Sequence, residues 1–556
     1  MSKYENYTKE QLIAKIATHE SKKNYGLVWD DEKEPENVVL ECQNNIPILK
    51  KIDGKTIQTD KNKPNNILIE GDNYHALQVL NYTHKGQIDV IYIDPPYNTG
   101  NKDFKYNDSF VDKEDGYRHS KWLNFMSKRL KLAHNLLKDS GVIFISIDDN
   151  EMAQLKILCD ETFGEKCCIG IFTKKIAGGK NDSKTIKLNH EYLLCYCRKE
   201  TTKLKLNRQI SLKETTVTLQ KWGDEELRED RPDMWYPIYA NLDSGQISLE
   251  RITGMIEILP IKNDGTERRW RWGRKTAIKD LKKLTLVETE DDFGDVKYDI
   301  HVIMPKGTIS ELPWSSFIPE HSAGGGTVLN AIMGKKIVGM YPKNIEYIKW
   351  IANLALSPKP IILDFFAGSG TTGHAILDLN KDGGNRQFIL CTNNENDICT
   401  DVTYPRLSKV INGYSTPKGV YIDGLGGNLD YYKTDLVPTD GIANISDTTR
   451  EELTKKAGNM IAIKENTHAL IELNDHYQIF QNKTTAKQTA IYFTEDLSHF
   501  DELIEKIKKH KTKLYIFSFG KIDKSSYKYL GKNFEIEDIP EPIIEIYKEI
   551  NKEGIL

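Results

Sequence analysis

Short, wholly apolar runs alternate along the chain with stretches in which apolar residues recur every third or fourth position, a rhythm that predicts a layered α/β protein. Residues 67–70 predict a short strand, and Asp72 precedes a helical stretch over 74–80. Residues 88–93 and 141–147 are apolar enough for strands buried on both faces. Between them Leu123, Met126, Leu130, Ala133 and Leu137 form the stripe of a helix lying on a sheet. Residues 361–365 predict a further strand, followed by a glycine-rich turn and a helix that starts near Thr371 or Thr372. Strands alternating with helices predict a doubly wound, largely parallel sheet, with pockets at the carboxyl ends of its strands.

The pattern divides the chain into five parts. Residues 1–60 read as a helical extension, with a helix over Lys9–His19 and an acidic linker over Asp30–Glu36. Residues 61–200 and 341–415 together supply the sheet, separated by an insertion at 201–340. Residues 416–556 read as a small C-terminal α/β domain, because apolar runs near 490 and 513 flank a helix around 500–509. Dimerisation, DNA contact and partner binding are all open to that domain. The basic run over 506–513 reads as a solvated helix face.

Two loops carry candidate chemistry. Asp94-Pro95-Pro96-Tyr97 follows the buried run 88–93. The Asp94 carboxylate and the Pro95 carbonyl are two acceptors suited to the two N–H groups of an exocyclic amine. Pro95 and Pro96 stiffen the turn and add no N–H donors. Tyr97 offers a ring face for an extruded base. Taken alone, the tetrapeptide is equally a tight turn closing a strand. The second loop runs Asp364-Phe365-Phe366-Ala367-Gly368-Ser369-Gly370-Thr371-Thr372-Gly373. It satisfies the dinucleotide fingerprint G-x-G-x-x-G, and Glu395 follows at about the spacing of a ribose-binding acid. A nicotinamide dehydrogenase therefore competes on this segment. S-adenosyl-L-methionine accounts for both loops, with the glycine turn at its methionine end and Glu395 at its ribose.

With these motifs the chain resembles the beta class of amino-group DNA methyltransferases, and within it the modification subunit of type III restriction–modification systems. The shared text includes Ile69-Glu70-Gly71-Asp72-Asn73, Asp94 through Gly100, Trp122-Leu123-Asn124-Phe125-Met126, Ile145 through Glu151, His190-Glu191-Tyr192 and Phe388 through Asn396. The resemblance implies a Rossmann-like methyltransferase sheet in circularly permuted motif order, with an inserted target-recognition domain. It implies Asp94, Pro95, Pro96 and Tyr97 as catalytic residues. Asp364, Phe366, Ala367, Gly368, Ser369, Gly370, Thr371, Glu395 and Asp72 are implied at the cofactor, although Asp72 serves equally as a helix N-cap. N6 of adenine in double-stranded DNA is the implied target, since the family pairs D-P-P-Y with adenine and S-P-P-Y with N4 of cytosine. A homodimer joined by a helicase–nuclease subunit is the implied assembly. A stand-alone type II or orphan methyltransferase, and a catalytically silent DNA-binding protein, are the other readings. The chain has no G-x-x-x-x-G-K-[ST] phosphate loop, so ATP-driven cleavage would reside elsewhere.

Arg268-Arg269-Trp270-Arg271-Trp272 in the insertion offers cations for phosphate or guanine and rings for stacking; a charged hairpin with its tryptophans inward explains it as well. His321–Thr327 reads as a flexible connector. Asp148-x-x-Glu151 reads as a capping box, and Asn98 as a turn residue. Composition narrows the setting. A net charge of −4 over 556 residues requires that any DNA contact be local. Without an apolar run of about 18 residues or a signal peptide, a cytoplasmic protein is expected. The eight cysteines, none in C-x-x-C spacing, read as free thiols, and no metal is expected.

Overall fold

The structure is a computed structural model that describes residues 35–555 apart from 177–185, 263, 291–293, 320–323 and 442–444, together with Thr8, Lys9, Leu12, Ile13 and Trp29. The expected Lys9–His19 helix therefore lies largely outside the described residues, as does the linker before Pro35. The chain forms two compact units, residues 206–314 and the remainder.

The larger unit is built on one sheet. Besides the short strand Ile57–Gln58, which pairs with the last of them, its strands are β1 (Asn45–Lys51), β2 (Asn65–Glu70), β3 (Ile88–Ile93), β4 (Leu137–Ile147), β5 (Cys168–Lys175), β6 (His190–Cys197), β7 (Ile361–Asp364), β8 (Gln387–Thr392) and β9 (Asn428–Pro438). They lie in the order β1-β9-β2-β8-β7-β3-β4-β6-β5. From β9 to β4 neighbours are parallel, and β1, β6 and β5 pair antiparallel. All six residues of β3 are buried, as a central parallel strand covered on both faces requires. The helices include α1 (Asn73–Thr83), α2 (Arg118–Leu136), α3 (Met152–Phe163), α4 (Gly325–Met333), α5 (Ile345–Asn353), α6 (Thr371–Leu379) and α7 (Tyr404–Asn412). The doubly wound, permuted sheet expected from the sequence is present.

Its boundaries differ from those expected. β1 belongs to the stretch read as a helical extension, and β9 to the stretch read as a separate C-terminal domain. β9 lies between β1 and β2, in register Asn45↔Pro438 through Lys51↔Tyr432. Chain from both ends thus completes the sheet. The inserted unit is shorter than 201–340: residues 315–340 join the larger unit. Gly325 begins α4 and is no connector, while His321–Ala323 lie outside the described residues. A Cβ on Gly325 would meet the Pro342 carbonyl oxygen at 2.1 Å and that of Lys343 at 2.4 Å, so only glycine allows this approach.

The C-terminal five-stranded sheet holds the expected β–α–β element, Gln488–Tyr492, Phe500–Ile507 and Thr512–Phe517, with its two strands parallel. Phe480, Ile491 and Tyr515 extend the core of the main sheet, whereas Ile479, Tyr492, Leu503 and Ile507 pack on the other face. This sheet therefore shares a core with the catalytic one. Among the described residues no helix is long and apolar enough to cross a membrane. The eight cysteines are free.

Candidate active site

The two loops leave the sheet side by side. β3 and β7 are parallel neighbours, with Val90 opposite Ile362 and Ile91 opposite Leu363. Asp94 and Asp364 therefore emerge together at the carboxyl edge. A cleft of about 1060 Å³ is lined by Asp94, Pro95 and Pro96 from the first loop and by Phe365, Phe366 and Gly368 from the second. Asp72 and Glu395 line the same cleft. A smaller cavity of about 220 Å³ lies against Asp94, Lys343, Asp364 and Gly368.

Around Asp94 the side chains form a charged network. Tyr97 Oη donates to Asp94 Oδ1 at 2.9 Å and accepts from Lys343 Nζ at 2.8 Å. Lys343 also donates to Glu191 Oε2 at 2.9 Å and lies 3.2 Å from Asp94 Oδ1. Lys174 donates to the other Glu191 oxygen at 2.6 Å. Burial alone would raise the Glu191 carboxyl, but Lys343 and Lys174 outweigh it and bring it down to about 2. Burial likewise works against the Lys343 charge, and Asp94 with Glu191 reverses this and holds the ammonium above its ordinary range. The Tyr97 phenol is pushed well above its usual value by burial and the two carboxylates, so it remains a donor. Trp122 Nε1 holds the Pro96 carbonyl at 2.7 Å, and no such bond to the Pro95 carbonyl is present among the described residues.

The second loop is held mostly from behind. Asp364 accepts from Thr372 Oγ1 at 2.5 Å and from the Phe366 amide at 3.0 Å, and burial pushes its carboxyl up to about 7. The Ser369 and Thr371 hydroxyls are bonded by buried Arg406 at 3.0 and 2.8 Å. Gly370 caps α6 with φ +76°, and its Cβ would meet Thr403 Cγ2 at 3.1 Å. Phe366 packs on Phe125 at a ring separation of 5.9 Å. Glu395 is partly exposed and pairs with Lys105 at 2.5 Å. Asp72 caps α1 through the Tyr74 amide at 2.6 Å and also lines the cleft.

A sequence profile of the N6/N4 DNA methylases matches residues 88–401, a span that holds both loops. The chain belongs to that family of DNA methylases. Among its relatives, the type II methyltransferase M.KpnI of Klebsiella pneumoniae is 35% identical over 382 residues, 66% of this chain and 90% of that one. The EcoPI Mod subunit of Escherichia phage P1, a type III restriction–modification enzyme, is 30% identical over 451 residues, 70% of this chain and 67% of that one. The StyLTI Mod subunit of Salmonella typhimurium is 32% identical over 368 residues, 62% of this chain and 55% of that one. The dehydrogenase reading falls with this membership. Gly373, the last glycine of its fingerprint, serves packing: a Cβ there would meet Leu407 Cδ2 at 2.7 Å.

Next to the tetrapeptide the methylase carries a group that the sequence reading misassigned. Glu151 forms no capping box, and its side chain makes no cap hydrogen bond at α3. It is wholly buried, accepting from Asn98 Nδ2 at 2.6 Å and lying 2.6 Å from His119 Nδ1. Asn98, at φ +57°, is thereby tied to the start of α3 and does more than turn the chain. Burial pushes the Glu151 carboxyl up to about 8, against the Asn98 hydrogen bond and the Arg118 charge, from an ordinary 4.5. The folded chain thus keeps a proton that the unfolded chain releases. The associated stability is full below pH 4.5 and is lost as pH rises through about 8. Glu151→Gln should match the parent in thermal unfolding near pH 5 and exceed it near pH 9. Equal midpoints at both ends would remove the protonated Glu151.

In the smaller unit, the arginine–tryptophan run takes the inward course. Trp270 is fully buried, with its Nε1 donating to the Tyr236 carbonyl at 2.7 Å. Arg268 is buried, stacks on Trp222 at 3.5 Å and pairs with Glu226 at 3.3 Å. Arg269 is buried against the Glu225 carbonyl. Trp272 is half-buried beside the same core. Trp270 cannot stack on a base from within that core, and Arg268 and Arg269 are engaged inside the unit. Arg271 remains exposed. Trp270→Ala should destabilise this unit by about 3–5 kcal/mol, read as an earlier denaturant transition in tryptophan fluorescence.

Proposed function

We propose that the chain is a site-specific adenine methyltransferase that extrudes one adenine from double-stranded DNA and methylates N6 with S-adenosyl-L-methionine. The observation that carries this is the convergence of the Asp94 and Gly368 loops on one cleft. The cleft has the chemistry for that donor. Asp72 and Glu395 offer carboxylates to hydroxyl and amino groups, Phe125 and Phe366 offer apolar rings, and the Gly368–Gly370 turn lets the backbone approach closely. When bound, S-adenosylmethionine supplies an electrophilic methyl group.

The chain's residues then have positional tasks. Tyr97 gives a ring face to the extruded base, Asp94 and the Pro95 carbonyl accept its two N6 hydrogens, and Trp122 fixes the turn through Pro96. The nitrogen gains a bond and positive charge beside Asp94, which takes the proton that leaves. Fixed acceptors already at hand for that charge supply most of the rate. Residues 206–314 serve target recognition, with the exposed Arg271, whose Nε donates to the Gln220 carbonyl at 3.2 Å, offering its terminal nitrogens to phosphate. The Mod relatives favour a type III modification subunit, acting as a dimer with a helicase–nuclease partner in the cytoplasm. M.KpnI favours a second reading, a stand-alone type II enzyme, because the chain spans 90% of it.

Sequencing the modified bases of DNA from cells expressing the chain tests this. N6-methyladenine in one context is the expected result, and N4-methylcytosine would overturn the adenine assignment. A thermal shift with NAD but none with S-adenosylmethionine would overturn the cofactor. A helicase–nuclease that co-purifies would decide for the type III assembly.

A further inference from the structure

Lys343 holds the position that the target amine needs. An ammonium has three donors, and here they meet Tyr97 Oη at 2.8 Å, Glu191 Oε2 at 2.9 Å and Asp94 Oδ1 at 3.2 Å. A tetrahedral nitrogen with N–H groups directed at Asp94 is what methylation of an amino group produces. The lysine and the base therefore compete for one carboxylate. The backbone that carries Lys343 is fixed on both sides: Gly325 presses on Pro342 and Lys343, and Asn344 caps α5 through the Glu346 and Tyr347 amides. The flexible stem beyond Cα is the part left to move.

We propose that Lys343 is a positioning residue that stands in for the target amine, bonding to Asp94 until a base arrives and then withdrawing onto Glu191. The proposal rests on the methyl-transfer reading above. Charge balance supports the exchange. Lys343 and Lys174 offset Asp94 and Glu191, so the four side chains are neutral together. When Lys343 gives up Asp94 and stays on Glu191, that carboxylate is left without a cation at hand until the amine beside it becomes positive as it is methylated. Glu191, already bound to Lys174 through its other oxygen, keeps the withdrawn ammonium out of bulk solvent. The arrangement also selects the base. Adenine brings N–H donors that can replace the ammonium, whereas hypoxanthine brings a carbonyl, which Asp94 repels and which cannot displace it.

The test uses the full chain and duplexes carrying the methylated sequence, with adenine, hypoxanthine or fluorescent 2-aminopurine at the target. Lys343→Met, close in length but uncharged, should extrude 2-aminopurine at lower protein concentration. It should also lose preference for adenine over hypoxanthine by roughly tenfold, the scale of one charge-assisted hydrogen bond. Lys343→Arg should restore part of that preference. Glu191→Gln removes the second berth and should act oppositely, raising KM for DNA roughly tenfold with a smaller change in kcat. Preferences taken as ratios between proteins cancel the differing stabilities of the duplexes. Unchanged base preference in Lys343→Met overturns the proposal, as does a variant that is merely less stable and less active. A parental KM in Glu191→Gln overturns it too, independently of whether the Met variant folds. A parent chain that methylates no amino group would instead sink the underlying reading.

Discussion

Alanine in place of Asp94 is expected to reduce methyl transfer by roughly 100- to 1000-fold, the cost of deleting one preorganised partner of the reacting group, while S-adenosylmethionine still binds. The two effects separate because the loops are built separately. The Gly368 turn is held by Asp364 on Thr372 and by Arg406 on Ser369 and Thr371, none of which depends on Asp94. Lys343 keeps Glu191 and Tyr97 when Asp94 is removed, so the fold should tolerate the change. Asn at this position retains one acceptor but adds an N–H pair facing the amine, and should fall between alanine and the parent. Transfer of a labelled methyl group to DNA, beside calorimetric binding of S-adenosylmethionine, measures both quantities. Near-parental transfer by Asp94→Ala would end the assignment, and equal loss of cofactor binding would give Asp94 a different task.

The parts of the site that the sequence displayed are those specified by neighbours in the chain. The run 88–93 could only be a buried strand, and the turn after it had to emerge at the carboxyl edge. The run 361–365 with its glycines carried the same information. What escaped depends on single charged residues that meet across hundreds of positions. Lys343 reaches Asp94 and is held by Glu191, which Lys174 holds in turn, and an isolated Lys or Glu has no periodicity to betray it. Arg406 is alike: it stands on α7 and is buried behind the cofactor loop, which it meets across more than 30 residues. The run Arg268–Trp272 left two readings open in the sequence, an interface and an inward-facing hairpin. What separates them is not local: Glu225, Glu226 and Trp222, some 40 residues away, neutralise and cover two of the arginines. β9 was hidden because a strand with Asp430, Lys433 and Asp435 lacks the unbroken apolar signature of a central strand. Its neighbours are β1 and β2, neither of which is local.

Removing Glu36 is expected to cost about 3–5 kcal/mol, because it strands a buried charge. Arg129 on α2 is fully buried, and its two terminal nitrogens donate to the Glu36 oxygens at 2.8 and 2.9 Å. The guanidinium also stacks on Phe125 at 3.6 Å, lies 3.4 Å from Asp72 and donates to Asn73 at 2.5 Å. Asn73 in turn donates to the Phe365 carbonyl at 3.1 Å, which ties the start of α1 to the cofactor loop. A residue of the N-terminal stretch thus holds the floor of the cleft. Among the described residues, Glu36→Ala leaves Arg129 only the partly exposed Asp72 as a carboxylate partner, so the guanidinium should draw on that residue and pull it from its place at the cleft. Lower unfolding free energy and weaker S-adenosylmethionine binding should therefore appear together. Replacing both partners, Glu36→Met with Arg129→Leu, removes the stranded charge and should restore stability relative to Glu36→Ala alone, yet leave cofactor binding impaired because Asp72 and Asn73 have lost their anchor. Denaturant titration of the three proteins, with cofactor binding measured on each, distinguishes the two consequences. A single variant as stable as the parent would show that Arg129 reaches solvent. A double variant that binds cofactor normally would show that Asp72 needs no anchor.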